Sequence, residues 1–161
     1  MKTIAVFFTG GTIAMRQGAD GAVRPALDLA ALLAELPSVL PEVPEFLPVS
    51  WAHMTPELMF RLAQDVQATL DRDNIAGAII LHGTDVMEET AFMLDLLLDS
   101  SKPVVITGAM RSYGEAGYDG LRNLASAVRA CLYPLPAGLG VVLLMTDKLF
   151  AAREVTKVHS M

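Results

Sequence analysis

Short β-like apolar runs alternate with stretches of helical period along this 161-residue chain. That alternation is the sign of an α/β domain with a mostly parallel sheet, three-layered and Rossmann-like or flavodoxin-like. Strands are expected at Thr3–Phe8, Glu45–Ser50 (weakened by Pro48), Gly77–Leu81, Lys102–Thr107 and Gly140–Met145, with a weaker one in the tail from Leu149 to Met161. Asp28 is placed to cap a short helix through Leu36, which Pro37 closes. Thr55-Pro56-Glu57 opens a second helix with a capping hydroxyl and a proline at its first position, and Leu58, Leu62, Val66 and Leu70 follow at intervals of four. A third helix is expected from Met87 to Leu98. Asp119 is expected to cap a fourth, whose apolar positions are Leu121, Leu124, Ala125, Val128 and Leu132. Between the first strand and the first helix, residues from Ile13 to Pro25 hold Gly18 and Gly21 among polar side chains and read as a flexible hairpin or lid.

Length sets one domain, 1–161, with no linker of Pro, Gly or Ser. A hydrophobic fraction of 53% against 19% charged excludes disorder. The formal charge of −6 argues against a phosphate-backbone partner, and 6% aromatics leave no stacking platform for single-stranded nucleic acid. The lone cysteine, Cys131, permits neither an intrachain disulfide nor a multi-thiolate metal site. No apolar run approaches the roughly 18 residues of a membrane span, and Ile4–Phe8 is too short for a signal core of about 7–15 residues. The expectation is a soluble, cytoplasmic domain.

Three places carry possible chemistry. The first strand opens into Thr9-Gly10-Gly11-Thr12, beyond a strand's carboxyl end, where open α/β sheets bind ligands. Two glycines let backbone approach a ligand closely, but the loop is neither a P-loop nor a dinucleotide fingerprint, and alone it reads first as a tight turn. The second place is His82-Gly83-Thr84-Asp85 with Glu88 and Glu89 beyond it. There Asp85 could be only a helix cap, the glutamates could simply complement a helix dipole, and His82 reads as a packed, hydrogen-bonded ring. Histidines at 53, 82 and 159 have no ligand spacing, so no metal is expected. The third is Arg153-Glu154-Val155-Thr156-Lys157, where a lysine would ordinarily be a solvated charge. Arg111, Ser112, Tyr113 and Glu115, in the loop after Thr107, are further candidates to line a cleft.

Together these residues resemble the bacterial-type L-asparaginases, the asparaginase/glutaminase family. Thr9-Gly-Gly-Thr-Ile-Ala14 and His82-Gly-Thr-Asp-Val-Met-Glu-Glu-Thr-Ala91 match its two signatures, in order. Lys102-Pro-Val-Val-Ile-Thr-Gly-Ala-Met-Arg111, Asp119-Gly-Leu-Arg-Asn-Leu124 and Arg153-Glu-Val-Thr-Lys157 extend the likeness over nearly the whole chain. The resemblance implies hydrolysis of L-asparagine to L-aspartate and ammonia, with no cofactor. Thr12 matches the nucleophile; Thr84, Asp85 and Lys157 match a second, Thr-Lys-Asp group. Asp85 also matches the residue that holds the substrate's α-ammonium, and Ala109 a position whose carbonyl contacts the amide nitrogen. Gly11, Ser50, Thr84, Asp85 and Ala109 thus form the implied substrate-binding set, and Thr12, Thr84, Asp85 and Lys157 the implied catalytic one.

A threonine hydroxyl is a weak nucleophile near neutral pH and needs a neighbouring base. Burial of Lys157 would favour a neutral amine and Asp85 an ammonium, so base and relay both stay open. A glutaminase-leaning or amidotransferase-related enzyme, a non-catalytic amino-acid-binding domain, and a truncated fragment are the alternatives. Two departures from the family stand out. The lid tyrosine that partners the nucleophile in relatives is replaced at the closest position by Ala22, and no tyrosine precedes Tyr113. Ser50-Trp51-Ala52-His53-Met54 stands where the substrate-carboxylate segment belongs, with Ser50 displaced by about one position and Trp51 free to shape the pocket or simply pack. Relatives also carry a second, C-terminal domain, so the chain is expected to match the N-terminal domain alone, as a short member or a fragment. The apolar Leu135–Met145 region suggests a homo-oligomer, with a dimer favoured.

Overall fold

A computed structural model describes residues 3–38, 44–50, 54–133, 135–136 and 138–158. Trp51, His53 and His159 lie outside the described residues, as does the side chain of Ser50. Strand β1 (Thr3–Phe8) pairs in parallel with β4 (Glu45–Ser50) on one side and β5 (Ile75–Leu81) on the other. Parallel strands β6 (Val104–Thr107) and β7 (Val141–Met145) follow, and β8 (Lys148–Ala151) closes the sheet antiparallel to β7. The order is β4-β1-β5-β6-β7-β8. Counting only the five parallel strands, this is the flavodoxin-like 2-1-3-4-5 arrangement, whose switch point falls between β1 and β5.

Helices cover both faces, giving three layers. On one face, α1 (Leu29–Glu35) and α4 (Gly120–Leu132) bury Leu29, Leu32, Leu124 and Val128 against Ile4, Val6, Ile79 and Val105. On the other, α2 (Pro56–Leu70) and α3 (Met87–Leu97) bury Leu62, Val66, Met87 and Leu94 against Ala5, Phe7, Ile80 and Ile106. The caps on α1 and α2 form as the sequence suggests. Asp28 Oδ1 accepts from the Ala31 amide at 2.8 Å, and Thr55 Oγ1 from the Leu58 amide at 3.3 Å. The stretch from Ile13 to Pro25 is indeed a hairpin, of exposed strands β2 (Met15–Gln17) and β3 (Val23–Pro25).

Four expectations change. Asp119 stands at the head of α4 but does not cap it, because its carboxylate turns to the Met110 and Arg111 amides, each at 3.1 Å. Leu132 is exposed, since α4 faces the sheet with Ala127, Val128 and Cys131 instead. Among the described residues the tail strand is confined to β8, which a two-residue turn at Thr146 and Asp147 joins to β7. Finally, Val141–Leu144, the apolar heart of the Leu135–Met145 region, form a strand paired on both sides and buried, so they supply core rather than surplus surface.

Candidate active site

Three loops leave the carboxyl ends of β1, β5 and β6 and meet backbone to backbone. Gly10 and Gly11 take φ values of 92° and 97°, in the left-handed region that other residues avoid. A Cβ on Gly11 would fall 2.6 Å from the Gly83 Cα, so no other residue lets the β1 and β5 loops approach this closely. Likewise a Cβ on Gly108 would fall 2.4 Å from the His82 carbonyl oxygen. The close approach extends the sheet's pairing past the strand ends. Thr9 N–H and its hydroxyl both donate to the Leu81 carbonyl, at 2.9 and 3.0 Å, and His82 N–H donates to the Thr107 carbonyl at 2.8 Å.

His82 sits at this junction, 2% exposed. Nδ1 lies 2.6 Å from the Gly83 carbonyl oxygen and Nε2 3.0 Å from the Thr90 hydroxyl. A carbonyl only accepts, so Nδ1 carries the proton, while Nε2 faces the Thr90 hydroxyl, which itself lies 2.9 Å from the Val86 carbonyl oxygen. Burial pushes the imidazole below its ordinary value. His82 is the packed, hydrogen-bonded ring the sequence suggested, and it holds the Gly83 peptide just ahead of Thr84. Among the described residues no three His, Cys, Asp or Glu side chains converge on a metal-sized site.

Beyond β5, Lys157 Nζ donates to Thr84 Oγ1 at 3.0 Å and to Asp85 Oδ1 at 3.5 Å. The Lys157 side chain is 28% exposed and that of Asp85 99%, so the carboxylate stands in water and the ion pair is screened. Asp85 does not cap α3, whose N-cap position is Val86. Thr84 and Lys157, 73 positions apart, are thus joined directly, and the segment carrying Lys157 is fastened by Glu88, in the first turn of α3. Its carboxylate accepts from the Thr156 hydroxyl at 2.8 Å and from the Lys157 backbone N–H. These bonds, the Thr156 one foremost, hold Glu88 below the ordinary glutamate range. Glu88 is more than a helix-dipole partner, because it fastens the segment that carries Lys157.

Thr12 begins a single 3₁₀ turn, Thr12–Ala14, at the mouth of the β1 loop. Its hydroxyl has no hydrogen-bond partner among the described residues. Ser50 ends β4 in register with Phe8, at the same sheet edge. Ala109 is fully buried just past β6. Of the residues the sequence singled out, Thr84 and Asp85 both bond Lys157 and Gly11 abuts Gly83, whereas Thr12 and Ala109 lie at the same edge with no side-chain hydrogen bond to that group. Arg111 bonds the Ala116 carbonyl and Ser112 N–H the Glu115 carboxylate, so these residues shape their own loop rather than a cleft wall. Buried Asn123 ties that loop down, donating to the Gly108 carbonyl at 3.0 Å and to Asp119 Oδ2 at 2.9 Å.

A cavity of about 540 Å³ opens beside Thr84 and Lys157, toward β7 and β8. Leu143, Met145, Phe150, Val155 and Val158 give it an apolar wall, unsuited to a zwitterion, and Thr12 is not on it. Thr84, Glu88, Thr146, Glu154, Thr156 and Lys157 supply its polar groups.

A family model described as "Asparaginase, N-terminal" matches residues 3–161. The chain belongs to the asparaginase family. It is 35% identical to an L-asparaginase of Bacillus licheniformis over 164 residues, 99% of this chain and 51% of that one. It is 34% identical to a glutaminase-asparaginase of Acinetobacter glutaminasificans over 167 residues, covering 97% and 50%. The solved structure of a probable cytoplasmic L-asparaginase from Campylobacter jejuni superposes with a TM-score of 0.89 at 34% identity, over 99% of this chain and 50% of that one. The chain therefore spans about half the length of these asparaginase relatives.

Proposed function

We propose that the chain is an L-asparagine amidohydrolase, releasing L-aspartate and ammonia, with Thr12, Thr84, Asp85 and Lys157 as its catalytic residues. The observation that carries this reading is the 3.0 Å contact between Lys157 Nζ and Thr84 Oγ1, which joins two distant parts of the chain beyond the carboxyl end of β5. Thr12 Oγ attacks the side-chain amide carbon, and its proton passes to the Thr84–Lys157 pair. The tetrahedral adduct collapses, ammonia leaves with that proton, and water hydrolyses the acyl ester to aspartate and free Thr12. Backbone N–H groups of the two Gly-Thr loops stabilise the oxyanion. Gly11, Ser50, Thr84, Asp85 and Ala109 bind substrate, with the exposed Asp85 carboxylate taking the α-ammonium. No cofactor or metal takes part.

The same reading makes residues 1–161 one folding unit that works in the cytoplasm as a homodimer. The description of the Campylobacter relative supports the location. Exposed apolar side chains on α3 and β8, including Phe92, Leu96, Leu149 and Phe150, support self-association.

Ammonia release from asparagine by the purified chain tests the activity. Thr12→Val and Thr84→Ala are each expected to lower kcat by on the order of 10² or more. An inactive parent, or variants as active as the parent, would overturn the proposal. Glutamine turnover equal to that on asparagine would shift the substrate to the longer amide.

A further inference from the structure

The hairpin that follows Thr12 is closed from within by exposed contacts, chiefly the Arg24–Asp20 ion pair at 2.6 Å and the Gly18 N–H to Ala22 carbonyl bond at 2.9 Å. Each strand is three residues long and mostly exposed, and an isolated two-stranded ribbon is marginal in water. Beyond the burial of Ile13 and Ala14 at its base, its ties to the rest of the molecule come from the loop between β6 and α4. Tyr118 donates its hydroxyl to the Ile13 carbonyl at 2.6 Å, one residue past Thr12 and inside the 3₁₀ turn. Tyr113 N–H donates to the Met15 carbonyl at 2.6 Å, and the Arg16 guanidinium lies 4.8 Å from the centre of the Tyr113 ring. The Tyr113 hydroxyl in turn donates to Glu35 Oε1 at 2.7 Å, and the two tyrosine rings meet edge to face with centroids 5.5 Å apart.

Room has been left for this arrangement. A Cβ on Gly120 would fall 2.2 Å from the Tyr118 hydroxyl oxygen, so the ring lies over the head of α4 only because that position is glycine. Burial holds the Tyr118 phenol well above its ordinary value, so the hydroxyl stays protonated and remains a donor. Residues 12–25 contain no tyrosine of their own.

We propose that Tyr118 is a positioning residue for the reaction: its hydroxyl fixes the turn that carries Thr12, and with Tyr113 it latches the hairpin to the β6–α4 loop. The proposal rests on the asparaginase reading for its catalytic consequence, while the latch itself is structural. It predicts that the aim of Thr12 depends on a side chain 106 residues away that touches no substrate.

Tyr118→Phe removes the hydroxyl and keeps the ring. Assayed well below the unfolding temperature, it is expected to lower kcat about five- to tenfold, as one lost hydrogen bond would. KM should change little, and the unfolding midpoint should stay near that of the parent. Hydrogen–deuterium exchange should speed up at residues 13–25 and nowhere else. Tyr113→Phe, which keeps the backbone donor to Met15, should speed that exchange less. Parent-like turnover with parent-like exchange would overturn the proposal, and so would a loss of activity that only follows a fall in stability. If the parent itself releases no ammonia, the asparaginase reading fails and the exchange comparison alone decides the latch. Unchanged protection of residues 13–25 would then overturn it.

Discussion

Glu88 grips the chain on both sides of the peptide bond before Lys157, through the Thr156 hydroxyl and the Lys157 N–H. Its folded carboxylate titrates below the ordinary value of 4.5. A depressed folded value means that the anchoring is complete above the unfolded value and is lost as pH falls through the lower folded one. Turnover should therefore keep its Glu88-dependent part down through pH 4.5 and lose it only below. Glu88→Gln replaces the anion at every pH, and because a small misplacement of a reacting group is expensive, kcat should drop about tenfold. The side chain lies near the surface, so the unfolding midpoint should hardly move. A parent-like kcat and acid limb in Glu88→Gln would remove the clamp from the working of the site. The sequence shows why this residue is easily misread. A glutamate in a helix's first turn has a sufficient local explanation, and its true partners lie nearly seventy positions downstream, beyond any local pattern.

Caps separate the helices by what their first residues do. Thr55 and Asp28 each satisfy an amide of their own helix, so Thr55→Ala should cost about 1 kcal/mol in urea unfolding. Asp119 looks the same in sequence but holds Met110 and Arg111 amides and the Asn123 side chain. Asp119→Ala should therefore destabilise more than Thr55→Ala, and it should also loosen the loop after β6; equal losses would return Asp119 to an ordinary cap. Helices and parallel strands were legible because each is written in a local run of side chains. The β7–β8 hairpin was not. Its turn places Thr146 and Asp147 at φ of 50° and 60° without an Asn-Gly signal. It is held from outside, by Arg122 and Ser126 on Asp147 and by Asn123 Oδ1 on the Thr146 amide. The hairpin after β1 was legible as a hairpin from its glycines, but not the tyrosines that fasten it, since contacts across a hundred residues leave no periodic trace.

Over the whole molecule, the apolar surface left exposed on α3 and β8 argues for association: sedimentation at micromolar concentration should show a dimer, and a monomer alone would refute it. The two signature loops were recognisable from sequence, while their meeting at the β1–β5 switch point follows only from strand order. That meeting has a mechanical consequence. The turn carrying Thr12 is rooted through Ile13 and Ala14 in the packing under α1 and α4, whereas Thr84 and Lys157 stand on Met87 and Val155, in the packing under α2 and α3. The two threonines therefore rest on separate foundations on opposite sides of the sheet, and their loops meet where Thr9 bonds Leu81 and Gly11 abuts Gly83. Subsidence in one foundation, such as a shortened Leu32 or Leu94, tilts one threonine and leaves the other upright. A chain of this design can keep its overall shape, at a cost of about 2–5 kcal/mol for a buried Leu→Ala change, while its two halves drift out of alignment.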